Sequence, residues 1–215
     1  RSTGGCLYSA TLTIWYARAL DPQGNRWGAP VNISTTSTSI TSTIATATVR
    51  QIDMKMVGLV PAIAFSAAGT IKFIRAADID GLAWSAPVAV TAASGNVSLE
   101  VIAGNPAIAT ADPITATNTK LNYIRADSAD GSTWGVPMVQ LSPNLTNSCS
   151  LKEVDGNPAI SYFDISGGSN LVYCRSSSPT GNSLADWTSG INLTLDFQGL
   201  VGNYSSLCVI NAYPA

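Results

Sequence analysis

The chain has 215 residues, of which only 11% are charged, and a formal net charge of −2. An average soluble protein carries about 25% charged residues; this near-neutral chain has no Lys/Arg cluster, so neither nucleic-acid binding nor an anionic membrane surface is expected. Histidine is absent, which removes Ser-His and Cys-His nucleophile systems and most zinc or iron sites.

The sequence opens RSTGGCLYSATLTIWYAR. It shows no signal peptide and starts at Arg1, so it reads as a mature, processed or excised product. Residues 14–31, IWYARALDPQGNRWGAPV, then set a pattern: an aromatic, one spacer, Arg18, a turn with Gly24, Trp27 and a Pro. The tract 34–48, STTSTSITSTIATAT, is a low-complexity insert, either an exposed strand lead-in or an O-glycosylated surface. The longest apolar run, 57–65, contains a Gly and a Pro and falls far short of the roughly 20 residues of a membrane helix.

The first pattern returns three times: IKFIRAADIDGLAWSAPV (71–88), LNYIRADSADGSTWGVPM (121–138) and LVYCRSSSPTGNSLADWTSGI (171–191). Arg75, Arg125 and Arg175 repeat Arg18, and Trp84, Trp134 and Trp187 repeat Trp27. A second motif alternates with it: GLVPAIAFS (58–66), GNPAIATAD (104–112), GNPAISYFD (156–164) and a terminal NAYPA (211–215). A fixed period of about 50 residues signals a repeat architecture.

Within the third full copy, short β-branched and aromatic runs between Gly, Asn, Asp and Pro turns predict strands at 150–154, 159–164, 170–175 and about 190–195. No capped window of helical period competes. Four antiparallel strands per repeat predict an all-β β-propeller of about four blades, or one arc of a larger propeller. The repeats are placed at about 35–90, 91–141 and 142–195. A split blade, 1–34 plus 196–215, would close the ring by sharing N- and C-terminal strands and remove the sheet edges.

Four cysteines, no CxxC pair and abundant Ser and Thr suggest an oxidising, extracellular or cell-surface setting. Cys6 and Cys208 fall on neighbouring strands of the split blade and are disulfide candidates; Cys149 and Cys174 follow by elimination. The acidic turns offer Asp78, Asp80, Asp127 and Asp130 as candidate calcium ligands, although Asp and Gly are also what tight turns use; no other cofactor is expected. The four Arg and four Trp occupy equivalent repeat positions. They read as structural, with each Arg hydrogen-bonding neighbouring carbonyls and each Trp wedged between blades. Glu100 and Glu153 both lie on the first strand of a blade and also read as structural. Trp15, Tyr8, Tyr162, Tyr204 and Tyr213 lie outside the pattern and are candidates for a variable surface. Sequons occur at Asn32, Asn96, Asn144, Asn192 and Asn203.

GNPAISYFD and LNYIRADSADGSTWGVPM resemble the repeats of secreted bacterial β-propellers related to Asp-box, or sialidase-type, blades. In the third copy Ser128, Asp130, Gly131 and Trp134 approach the Asp-box, with Asp130 touching Gly131 without a spacer. The resemblance implies a propeller over nearly the whole chain. A sialidase-like site would need an Arg cluster, a Tyr nucleophile with an acidic partner and an Asp acid. The equivalence of the copies argues against that asymmetry. The expectation is therefore a non-catalytic extracellular module that binds other proteins of an assembly or has a structural role. The alternatives are a lectin-like propeller binding surface glycans and a degenerate glycoside hydrolase.

Overall fold

A computed structural model describes residues 8–40, 52–93, 95–111, 120–135, 138–142, 146–165, 168–196 and 201–215. The disulfide candidate Cys6, the sequon Asn144 and most of the 34–48 tract lie outside those residues or their side chains.

Two N-terminal strands, β1 (Tyr8–Tyr16) and β2 (Val31–Ile40), form an antiparallel pair. Three four-stranded antiparallel blades follow among the described residues. Blade I holds β3 (Ile52–Val57), β4 (Val60–Ala67), β5 (Thr70–Arg75) and β6 (Val88–Thr91). Blade II holds β7 (Asn96–Ile102), β8 (Asn105–Ala111), β9 (Leu121–Arg125) and β10 (Val139–Ser142). Blade III holds β11 (Thr146–Val154), β12 (Asn157–Asp164), β13 (Asn170–Arg175) and β14 (Ile191–Asp196). A C-terminal hairpin, β15 (Val209–Ile210) and β16 (Tyr213–Pro214), ends the chain.

The fold is the expected all-β propeller, observed as an arc. The two half-blades stand as separate two-stranded sheets, so no shared blade closes a ring among the described residues. One element departs from the all-strand reading. Leu184–Thr188 forms a one-turn helix, α1, whose N-cap Ser183 and third residue Asp186 make a reciprocal capping box. The Ser-Leu-Ala-Asp spacing carries that signature, but the turn is too short to show helical periodicity.

The cores lie between blades. Ala62, Ala64, Ile71 and Phe73 of blade I pack on Leu99, Ile108 and Ile124 of blade II. Ala107, Ala109, Leu121 and Tyr123 of blade II pack on Leu151, Ile160, Tyr162 and Val172 of blade III. Small alanines on one face admit the large residues of the next, as interdigitated packing requires.

The repeated corner is structural. The Asp78 carboxylate accepts the Asp80, Leu82 and Ala83 N–H groups, and Asp21 does the same in the first copy. Each Trp indole donates to the turn glycine: Trp27 to Gly24, Trp84 to Gly81, Trp134 to Gly131 and Trp187 to Gly181. Trp84, Trp134 and Trp187 lie against Tyr16, Phe73 and Tyr123 of the preceding blade, centroids 5.3, 5.5 and 5.2 Å apart. Arg125 donates to the carbonyls of Ile102 and Ala103, Arg175 to those of Val154 and Asp155, and Arg75 to that of Val57. Each guanidinium thus clamps the end of its own blade's first strand.

The Cys149–Cys174 pairing is corrected: both thiols are free and buried. β12 runs between their strands, with Cys149 opposite Tyr162 and Cys174 opposite Ile160. Two strand spacings, each about 4.8 Å, exceed the reach of a disulfide. Burial pushes both thiols up to about 12, so they are inert apolar fillers.

Candidate functional site

β3, β7 and β11, the first strands of the three blades, pack side by side and form the axial layer. Matched register positions on them carry different side chains. Asp53, Ser98 and Ser150 share one position; Lys55, Glu100 and Lys152 share the next on the same face.

The first position stitches blade to blade. Asp53 Oδ2 accepts the Leu99 N–H at 2.8 Å, Ser98 Oγ the Leu151 N–H at 3.0 Å, and Ser150 Oγ the Leu207 N–H at 3.0 Å. Asp53 Oδ1 also accepts the Met54 N–H.

The second position is a charged triad. Glu100 Oε2 lies 3.1 Å from Lys55 Nζ and 2.8 Å from Lys152 Nζ. Burial pushes the Glu100 carboxyl upward, but hydrogen bonds and charge from Lys152 and Lys55 outweigh it, so its pKa is lowered from the usual 4.5. Burial likewise pulls Lys152 down, but its hydrogen bond to Glu100 together with its other neighbours, including the charges of Glu100 and Asp53, outweighs this and raises its pKa. Nearby, Glu153 Oε2 accepts the Ala103 N–H at 2.7 Å.

The sign of the linkage is set by the lowered pKa. Glu100 contributes stability above pH 4.5, and the contribution is lost as pH falls through the depressed folded value. Glu100→Gln is expected to cost about 1–3 kcal/mol at pH 7. The gap between variant and parent urea midpoints should shrink below about pH 4; a pH-independent gap would contradict the triad.

The other candidates lie elsewhere. Asp80 pairs with Arg18, Asp127 accepts the Gly135 N–H, and Asp130 accepts the Ser132 side chain and N–H, which lower it to about 2. Of the calcium candidates, Asp78, Asp127 and Asp130 thus accept bonds within their own turns and Asp80 reaches across to Arg18, and no group of three or more metal-donor residues gathers among the described residues. Trp15, Tyr204 and Tyr213 are exposed and Tyr162 is buried. Asn32, Asn192 and Asn203 are exposed, whereas Asn96 is buried and has no room for a glycan.

Glu100 stands in the sequence as a scaffold residue of a first strand, and nothing local marks Asp53, Lys55 or Lys152. The signal was the exchange of Lys, Glu and Lys at one repeat offset.

No protein-family model and no curated protein matches the sequence. Among solved structures, one described as a GH43 glycoside hydrolase engineered for endo-xylanase and exo-arabinofuranosidase activity is 14% identical, with a TM-score of 0.48 over 67% of this chain and 28% of its own. A Bacteroides ovatus protein described as xyloglucan PUL GH43B is 16% identical, with a TM-score of 0.46 over 60% of this chain and 27% of its own. The endo-arabinase of Bacteroides thetaiotaomicron is 14% identical, with a TM-score of 0.48 over 88% of this chain and 76% of its own. The chain thus spans little more than a quarter of the length of the first two. These neighbours are described as glycoside hydrolases, and against them the expectation of a non-catalytic module that is not an enzyme is withdrawn; at this identity and TM-score the likeness concerns the fold and assigns no activity. Repeated backbone does not impose a symmetric site: equivalent axial positions here carry Asp or Ser, and Lys or Glu.

Proposed function

We propose that the chain is a glycoside-hydrolase-like propeller arc whose axial cluster meets carbohydrate. The carrying observation is the triad of Lys55, Glu100 and Lys152 beside Asp53. Two ammonium groups and two carboxylates balance in charge and offer both donors and acceptors. That suits the neutral hydroxyls of a sugar better than an anion or a cation. Asp53 and Glu100 sit on the axial strands of adjacent blades, and glycoside hydrolysis uses carboxyl groups in pairs. The lowered pKa of Glu100 fits it to a base or charge-stabilising role, not to proton donation. Asp53, held by backbone N–H groups through both oxygens, positions the next axial strand.

The test is reducing-sugar release from arabinan, xylan and xyloglucan, with aryl arabinofuranosides and xylosides alongside. Turnover is expected on at least one, and Glu100→Gln should lower kcat about 100-fold or more with an unchanged circular dichroism spectrum. No turnover on the whole panel, or turnover indifferent to Glu100, would sink the reading.

A further inference from the structure

We propose that Lys55 and Lys152 are the sugar-contacting pair of the axial cluster: each ammonium donates to oxygens of a neutral saccharide, and Glu100 holds the two side by side. The inference rests on the reading of the axial cluster as a carbohydrate site, and it assigns the residues that set the affinity of that site.

The donors left over after the triad forms point to the lysines. An ammonium carries three N–H donors and no acceptor. Glu100 Oε2 takes one from each lysine, at 3.1 Å from Lys55 Nζ and 2.8 Å from Lys152 Nζ. The other carboxylate oxygen, Oε1, turns back to the Val101 N–H of its own strand at 3.2 Å. Among the described residues no other oxygen bonds either ammonium, so two donors remain on each. Because both nitrogens share one oxygen, those donors lie close enough together to reach neighbouring oxygens of one sugar ring.

The lysines are not what joins the blades. Two residues back along each strand, Asp53, Ser98 and Ser150 already accept a backbone N–H of the next strand. Lys55 and Lys152 bond to Glu100 and to no backbone group of a neighbouring blade among the described residues. Their side chains are also the more open, 28% and 26% exposed against 17% for Glu100. A ligand therefore meets the ammonium groups before the carboxylate.

The C-terminal hairpin supplies a reporter beside the pair. β15 and β16 pair Val209 with Pro214 and Ile210 with Tyr213, the register in which β7 and β8 pair Val101 with Pro106 and Ile102 with Asn105. Ser150 accepts the Leu207 N–H as Ser98 accepts that of Leu151. Cys208 therefore stands on the strand next to β11, at the register position of Lys55, Glu100 and Lys152. Its thiol is free and exposed, whereas Cys149 and Cys174 are buried.

Alkylation by iodoacetamide, read at Cys208 by peptide mass mapping, tests the proposal alongside turnover. Arabino-, xylo- or xyloglucan oligosaccharide should slow modification of Cys208. Lys55→Met and Lys152→Met should each raise the saccharide concentration needed for that protection about tenfold or more. On a substrate that is turned over, the same variants should raise KM about tenfold or more and leave kcat within about twofold at pH 7. Should a methionine variant fail to fold by circular dichroism, the glutamine variant at that position replaces it. No protection by any of the oligosaccharides overturns the proposal, as does protection that neither lysine variant weakens. Protection lost in both variants without turnover upholds the lysine pair and sinks only the hydrolase reading. Turnover that depends on Glu100, with KM unchanged in both lysine variants, overturns the pair and leaves that reading standing.

Discussion

Replacing Tyr123 with alanine is expected to destabilise the protein by about 3–5 kcal/mol, the range for truncating a large buried aromatic. Tyr123 is fully buried between blades II and III, and its hydroxyl donates to the Thr180 carbonyl at 2.9 Å. Its ring lies 5.2 Å from that of Trp187 at an interplanar angle of 59°. Burial also raises the phenol's pKa, so the neutral donor persists throughout the working pH range. Tyr123→Phe keeps the ring and should cost only about 1 kcal/mol for the lost hydrogen bond. Urea midpoints for the two variants separate packing from hydrogen bonding. A loss below about 1 kcal/mol for the alanine variant would mean that the blade II–III interface is not where the core lies.

Gly131→Ala should also be strongly destabilising. Gly131 has φ +73°, and its Cβ would run into the ring of Phe73. Left-handed backbone costs an L-residue about 1–2 kcal/mol, and forcing the ring aside adds about 1–3 kcal/mol. Gly24 is the internal control, with φ +74° and open space around it. Gly24→Ala should carry the backbone cost alone. Equal losses at the two sites would show that the aromatic socket does not constrain the turn.

The blade was legible in the chain because its determinants are local. GNPAISYFD and YIRADSADGSTWGVP announce a strand, a glycine turn and a strand, and the expected third copy matches β11–β14 to within a few residues. The helix around Trp187 escaped because five residues show no period; only the capping pair Ser183 and Asp186 marks it.

The candidate site was less legible. Asp53, Lys55, Glu100 and Lys152 are separated by up to about 100 residues of chain, and none stands in a motif. Only the packing of β3, β7 and β11 brings their side chains to one face.

By itself, the sequence determined a β-propeller repeat, the turns that join its strands, and the Arg and Trp that each blade uses to hold itself and its neighbour. Those follow from backbone preferences and side-chain spacing within about 50 residues. The tertiary structure alone decided that Cys149 and Cys174 stay apart with β12 between them, and that the half-blades stand as separate sheets. It also gathered one ionised carboxylate between two ammonium groups on the axis. These outcomes depend on which strands become neighbours across blades, and burial and Coulomb energy act on that distance in space, not on separation along the chain.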